Sequence, residues 1–329
     1  MNLNKTTIKK IENFWLKESK HLQWKSKNEK VLKFYKTKPQ WKWFNNWKIN
    51  IYENCITRNI NKGYGNKTCI SFIENENKIT NLSFLSISKM SDIYCEFFST
   101  LLNKNSKVML HLSASIETSV MMLSLSRMGI HFSVIFEELE DLAIQSRINI
   151  FKPNLLISSK YLSKPKYLKK NLIFLNINII KNLSKSKTTC NQKISYFDSN
   201  KKFFTLFTSG STGQPKAITH SYGGYTLFAN FTCRKQFGLN KNSKILTVSD
   251  PGWINGHTYA LFGPLSLGST TIIIKKPYMI LNSKILKLIN QINPSIVYLP
   301  VTLIRILKSL YKKNIFKFSN LKTIGSMGE

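Results

Sequence analysis

Between Thr205 and Ala217 the chain reads TLFTSGSTGQPKA, a run of hydroxyls and glycines closed by an amine. Only 14 of the 329 residues are glycine, so Gly210 and Gly213 this close together are a local feature. Glycine permits positive φ and lets backbone amides come close to a ligand. Successive N–H groups in such a turn form a concave anion site. Thr208, Ser209, Ser211 and Thr212 add hydroxyl donors, Lys216 a mobile positive charge, and Pro215 stiffens the exit. The set suits a polyphosphate. It is neither the G-x-x-x-x-G-K-[ST] loop nor the dinucleotide G-x-G-x-x-G. A polar surface turn uses the same residue types. The apolar FFTLF run just before it favours the phosphate reading, because it predicts a buried strand delivering the loop.

A loop of this kind needs a sheet to present it. From Lys107 onward, KVMLHLS, FSVIF, NLLIS, NLIFL, FFTLF, KILTVS, TTIIIK and SIVYL predict strands. IETSVMMLSLSRM, the segment from Asp141 to Ile150, SKILKLINQI and TLIRILKSLYKK predict the helices between them. Continuous apolar strands alternating with helices imply an α/β fold with a parallel sheet covered on both faces. Such sheets bind ligands at the carboxyl ends of their strands. Residues 1–105 read as an extension packing on a main domain of residues 106–329. In the extension IENFWLKESKHLQW carries a loose helical stripe, and the WKWF cluster, Trp41 to Phe44, is too apolar to stay in water. Lys181 to Ser195 reads as a surface loop, and the closing IGSMGE as the end of a strand and the start of a turn. No internal repeat is visible.

The formal net charge is +33, and 44 of the 49 basic residues are lysine. Such a balance suits nucleic acid or a membrane surface. Against that, arginine, the better phosphate and base reader, is scarce, and the lysines run along the whole chain. Lysine, asparagine, isoleucine, phenylalanine and tyrosine are the residues of A/T-rich codons, so compositional drift is the favoured explanation. Five cysteines without a C-x-x-C pair exclude a disulfide framework or zinc site as the expectation and fit a reducing compartment. No apolar run approaches the roughly 20 residues of a membrane helix, and the N-terminus has no signal core. The expectation is a cytoplasmic protein with no membrane contact and no resident metal site.

The hydroxyl-rich loop then takes its place in a larger pattern. TLFTSGSTGQPKAITHSYGGY resembles the phosphate-loop signature of the AMP-forming acyl-CoA synthetases, the adenylate-forming superfamily. That signature runs Y-T-S-G-S-T-G-x-P-K-G and continues to a His and a Gly-Gly-Tyr, here His220 and Gly223-Gly224-Tyr225. SDPGWINGHTYALFGPLSLGSTT is similar to the family's A-D-x-G-W-x-T-G-H-S-Y…Y-G-P-L…G-A-T-T. SLSRMGIHFSVIF is similar to A-R-I-G-A-I-H-S-V-V-F, and WKWFNNWKINIYENCITRNI to W-F…L-N…N-C-x-D-R-H. IGSMGE resembles G-S-V-G-E-P. The blocks follow family order over essentially the whole chain, with the acetyl-CoA synthetases the nearest branch.

The resemblance implies layered parallel-sheet subdomains of the adenylate-forming large domain, incomplete, with an N-terminal helical and irregular extension. It implies activation of a carboxylate by Mg2+-ATP to acyl-AMP and pyrophosphate, then transfer to the thiol of coenzyme A. Thr208, Ser209, Gly210, Ser211, Thr212 and Gly213, with Lys216, would cradle the β- and γ-phosphates, and Glu329 would lie near the nucleotide. Trp253, Ile254, Asn255, Gly256 and His257 match the segment beside the acyl group, with His257 next to the carboxylate. Ile254 and Met327 match pocket-lining positions, and their bulk favours a small acid such as acetate. Asn255 stands for a Thr that serves coenzyme A. Asp250 is set aside as a turn residue before Pro251.

Some positions depart from the pattern. Glu137 and Glu138 stand where the family has Gly-Gly and coenzyme A approaches, and two carboxylates there would repel an anion and crowd it. Lys164-Pro165-Lys166-Tyr167 keeps the charge of the family's R-G-G-R/K without its glycines. Ala217 replaces a Gly. The family's adenine block, ribose Asp, hinge and C-terminal domain with its catalytic Lys have no match up to Glu329. The expectation is a truncated enzyme, inactive unless a second chain supplies the C-terminal half. A nucleotide-binding remnant without catalysis, and a basic nucleic-acid-binding protein on an old fold, are the other two readings.

Overall fold

The structure, a computed structural model, describes residues 5–27, 30–35, 40–160, 172–183, 194–209, 213–311 and 318–328. The chain opens with helix α1 (Lys5–Ser19), an antiparallel pair β1 (Leu32–Tyr35) and β2 (Gln40–Trp43), and the short β3 (Lys48–Ile49). Two π-helical turns, Glu53–Thr57 and Ile60–Tyr64, lead to the hairpin β4 (Thr68–Asn75) and β5 (Lys78–Ser83), then α2 (Phe84–Leu101). Strands and helices alternate next: β6 (Lys107–His111), α3 (Ile116–Met128), β7 (His131–Ile135), α4 (Asp141–Phe151), β8 (Leu155–Ser158), β9 (Ile173–Asn176) and α5 (Ile177–Leu183). The short β10 (Phe197–Asp198) pairs with β3 and precedes β11 (Lys202–Thr208), β12 (Lys216–Ser221) and α6 (Tyr222–Lys235). The last stretch holds β13 (Lys244–Thr247), α7 (Ile254–His257), a π-helical turn Thr258–Phe262, α8 (Gly263–Ser266), β14 (Thr270–Ile274), α9 (Ser283–Ile292), β15 (Ile296–Pro300), α10 (Val301–Leu310) and β16 (Thr323–Met327).

These strands make two six-stranded sheets, in the orders β12-β11-β7-β6-β8-β9 and β16-β15-β13-β14-β4-β5. Both are parallel except for one antiparallel edge strand each, β12 and β5. Most runs read as buried strands are buried, β8 and β14 along their whole length and β6 and β7 except at their first residue; β9, at the sheet edge, is buried only at Asn176. The helices between them start and stop at local signals. Ser115 caps α3 by accepting from the Thr118 N–H, and Gly129 ends it at φ 71°. Asn282 caps α9 in the same way, accepting from the Lys284 N–H.

The first 105 residues are not only a covering. Strand β4 pairs with β14 and β5 with β4, so residues 68–83 complete the second sheet instead of packing on it. The WKWF cluster divides: Phe44 is buried at 2% exposure, while Trp41 stays 42% exposed. The segment expected as a loop from Lys181 begins within α5, and residues 184–193 lie outside the described residues. Among the described residues no helix is long and apolar enough to cross a membrane.

Candidate functional site

The opening loop springs from the carboxyl end of β11, whose interior is buried on both faces. Thr208, its last residue, is partly exposed and Ser209 is exposed. Strand β12 returns antiparallel, with Thr208 opposite Lys216, so the exposed amine stands across the pair from the first hydroxyl. Gly213 sits at φ 78° with nothing near an added Cβ, so the turn asks for backbone freedom there and not for space. Gly210, Ser211 and Thr212 lie outside the described residues, as do Glu329 and the Lys164–Tyr167 stretch. Three residues below the loop, Thr205 shares hydrogen bonds with Thr219 (2.7 Å) and His131 (2.8 Å), pinning the hairpin to β7.

The second segment follows β13 in the other sheet. Asp250 turns the chain: its Oδ1 accepts from the Gly252 N–H at 2.7 Å and its carbonyl from the Trp253 N–H at 3.0 Å. The winding is tight, since a Cβ on Gly256 would lie 2.3 Å from the Asp250 carbonyl oxygen. It leaves Trp253 and Ile254 on the surface, 55% and 36% exposed, with Asn255 half-buried behind them. Trp253 rests on Phe136 at 5.2 Å, just beyond β7. His257 is fully buried, stacked on Phe132 at 5.9 Å and 4.3 Å from Phe204. Among the described residues neither of its ring nitrogens has a hydrogen-bond partner. Burial pushes its pKa down to about 3, and the Pro251 carbonyl, outside hydrogen-bonding geometry, opposes this without reversing it. The ring is therefore a neutral imidazole at any ordinary pH.

The Trp253–Phe136 contact brings the carboxyl ends of the two sheets to one rim, while His257 lies deeper, against the amino-terminal halves of β7 and β11. Thr208 lies four residues beyond Phe204 on the same strand, roughly 13 Å along it, which sets the spacing between the loop and His257. Met327 ends β16 opposite Pro300, half-buried, with Gly328 at φ 89° after it. It belongs to the carboxyl edge of the second sheet, as Asp250 to His257 do.

The rim also holds an acidic group that reading the sequence took apart. Asp250, set aside as a turn residue, lies near Glu137 and Glu138 of the β7–α4 loop. Burial first, then those two carboxylates, raise its pKa to about 7, against the Gly252 N–H and Lys276. Burial works against a charged Glu137, but the hydroxyls of Ser159 and Ser113 and the Lys276 ammonium outweigh it and hold its carboxyl below the ordinary range. Ser159 donates to Glu137, and Lys276 lies 3.7 Å from Glu138. Nothing in the local sequence of Asp250 shows this, because its neighbours come from another sheet.

Known proteins are similar to this chain in sequence and in fold. The AMP-binding enzyme family matches residues 58–329, and the acetyl-coenzyme A synthetase N-terminus matches residues 2–55. The acetyl-coenzyme A synthetase of Helicobacter pylori (strain P12) is 30% identical over 97% of this chain and 53% of its own length. That of Cupriavidus metallidurans is 27% identical over 98% of this chain and 54% of its own. The solved acetoacetyl-CoA synthetase from Streptomyces lividans superposes with a TM-score of 0.81 at 12% identity, covering 99% of this chain and 55% of that one. At that identity the likeness shows the fold, the large domain of adenylate-forming enzymes. The chain spans about half the length of the curated relatives it matches. With the match running unbroken from residue 58 to residue 329 through both sheets and the rim between them, the chain belongs to the family of AMP-binding enzymes.

Proposed function

We propose that this chain carries the part of an acetate-activating, AMP-forming ligase that grips ATP and lines the acyl pocket. One observation carries the reading. The Thr208–Lys216 hairpin end and the aromatic seat of the Trp253–His257 segment belong to the same sheet, on strands β7 and β11. Trp253 also meets Phe136 just past β7, so donors for a leaving polyphosphate and an apolar stretch for a small acid open at the carboxyl ends of neighbouring strands.

In the first half-reaction a carboxylate oxygen attacks the α-phosphorus, the α–β anhydride bond breaks and pyrophosphate leaves. The protein contributes position and charge neutralisation. Thr208, Ser209 and the amides up to Gly213 would receive the charge growing on the β- and γ-phosphates, with Lys216 across the hairpin. Among the described residues no three His, Cys, Asp or Glu side chains are placed to hold a metal ion together. Mg2+ would therefore enter on the nucleotide, held by phosphate and loop hydroxyl oxygens. Ile254 and Met327 would close the acyl end around acetate, and Glu329 would stand near the nucleotide. Neutral His257, buried with both ring nitrogens unpartnered among the described residues, would set an uncharged polar group behind the acyl wall.

In the second half-reaction the thiol sulfur of coenzyme A attacks the acyl carbon and AMP leaves, with Asn255 near the acceptor. Glu137 and Glu138 bear on this half alone. Their charge would repel the anionic acceptor and weaken the thioester step, which favours a second reading: a nucleotide-binding remnant without catalysis. ATP–pyrophosphate exchange with acetate and with propionate decides between them, run with and without a chain supplying the relatives' C-terminal half. Exchange that prefers acetate in the completed enzyme supports the ligase. A melting temperature raised by ATP with exchange at background leaves the second reading, and no response to ATP at all removes both.

A further inference from the structure

Tryptophan is not a residue that drift toward A/T-rich codons supplies, yet it gathers at one end of this chain. Five of the six tryptophans lie in the first fifty residues, among thirteen lysines and three glutamates. Trp24 and Trp47 are core residues at 8% and 1% exposure. The other three build an external ridge. Phe14 meets Trp15 and Phe231 edge-on at 5.1 and 5.6 Å, and Trp15 meets Trp43 at 6.4 Å. Trp41 shares the face of Trp43 on β2, and its register partner Phe34 covers it at 4.6 Å. A groove of about 240 Å³ between Trp15, Trp43 and Phe228 joins this ridge to α6. Phe14, Phe34, Trp41 and Phe228 remain 45%, 44%, 42% and 52% exposed. A contiguous aromatic surface of this kind marks an interaction site.

Among the described residues the exposed charges beside it have one sign. Lys10 and Lys17 stand one turn either side of Phe14 on α1, and Lys235 two turns beyond Phe228 on α6, all exposed. The two glutamates of α1 are turned to internal partners: Glu12 accepts from the Leu32 N–H at 3.1 Å, and Glu18 is buried against Arg234. The complementary partner is apolar in depth and anionic at its surface. We propose that this face docks on an anionic lipid bilayer, its rings entering at headgroup level and Lys10, Lys17 and Lys235 meeting the lipid phosphates. The expectation of no membrane contact rested on the lack of a spanning segment, which does not bear on attachment at the surface.

Single-stranded nucleic acid also pairs rings with cations, but it stacks on open ring faces. Here Phe14, Trp15, Trp43 and Phe231 lock edge-to-face, at interplanar angles of 65° to 81°, and Phe34 occupies Trp41. The cations are lysines, without the planar stacking of arginine. A bilayer asks only for ring breadth at its interface. None of these residues belongs to the proposed ATP and acyl site, so the two readings stand or fall separately.

The test is flotation of the whole chain with phosphatidylcholine vesicles, with and without phosphatidylglycerol, across a salt series. The chain is expected to float with the anionic vesicles and not with the neutral ones. Phe14→Ser with Phe228→Ser should lower partitioning about tenfold or more, and Lys10→Gln with Lys17→Gln about thirtyfold. Independently of any variant, brominated acyl chains should quench the tryptophan emission of the unaltered chain. No flotation at low salt overturns the proposal. So does partitioning unchanged by loss of both rings, which would be charge alone. A single-stranded oligonucleotide that strips the chain from vesicles at equal phosphate concentration overturns it in favour of nucleic acid.

Discussion

Asp250 and His257 stand within one tight turn and are both driven toward their neutral forms, which moves their pKa values in opposite directions. Burial and the carboxylates of Glu138 and Glu137 raise Asp250 to about 7, while burial lowers His257 to about 3. An aspartate raised above its unfolded value, roughly 4, keeps its proton when the unfolded chain has lost it. Its contribution to stability is full below about pH 4 and is lost as the pH rises to about 7. His257 runs the other way: the unfolded imidazole charges near pH 6.5, so the stability it gives above that pH is lost as the pH falls toward 3. Asp250→Asn keeps an acceptor for the Gly252 N–H and removes the titration. The variant should be about 1–3 kcal/mol more stable than the parent at pH 8, with that margin shrinking to nothing near pH 4, in urea melts at each pH. Parallel pH curves for the two would place the Asp250 carboxylate in water instead. Composition and spacing gave the hydroxyls and Lys216 their chemistry, because a loop after an apolar strand is a local pattern. They gave Asp250 only a turn, because its charge environment is assembled by Phe136, Glu137 and Glu138 from a different sheet.

Two glycines at the scale of the element separate what a turn needs from what packing needs. Gly213 has φ 78° and open space around it, whereas Gly256 has an ordinary φ and the Asp250 backbone 2.3 Å from an added Cβ. Gly213→Ala should cost about 1–2 kcal/mol, the price of a left-handed residue, and should weaken ATP binding in calorimetry because the loop amides reorient. Gly256→Ala cannot be absorbed by a rotamer, since backbone meets backbone. It should cost about 2–4 kcal/mol and loosen Trp253, seen as raised accessibility of its indole to acrylamide, while leaving ATP affinity near the parent value. Equal losses of ATP affinity in both variants would mean that the loop and the acyl segment are one mechanical unit. Elements of this kind were legible where one signal sufficed. The strands β6, β7, β8, β13 and β14 declared themselves by unbroken apolar runs. Strand β12, KAITHS, did not, since an exposed edge strand carries no apolar stripe. Nor did the place of β4, whose partner β14 lies some two hundred residues away in sequence.

Across the whole molecule the balance of 49 basic to 16 acidic residues sets a field that no single ion pair cancels. The pairs with structural consequences are partly sheltered: Arg127 with Asp92, which joins α3 to α2, and Arg234 with Glu18, which fastens α1 to α6. Such pairs lose little to salt, because sheltered charges are poorly screened. The repulsion among exposed lysines is screened strongly, with a Debye length of about 10 Å at 0.1 M and about 3 Å at 1 M. Added sodium chloride should therefore raise the melting temperature, by several degrees between about 0.05 and 0.5 M, the reverse of a protein held together by surface ion pairs. Arg234→Met separates the two contributions. It removes one cation from the field, which is slightly favourable, but it leaves Glu18, buried at 5% exposure, facing only the His21 imidazole at 3.9 Å. That loss should be about 3–5 kcal/mol, should persist at every salt concentration, and should appear first as faster amide exchange in Lys5–Ser19. A melting temperature that falls with salt in the parent would show that its sparse ion pairs outweigh its excess of lysine. A variant rescued by salt would show that Glu18 is reached by water even when α1 is docked.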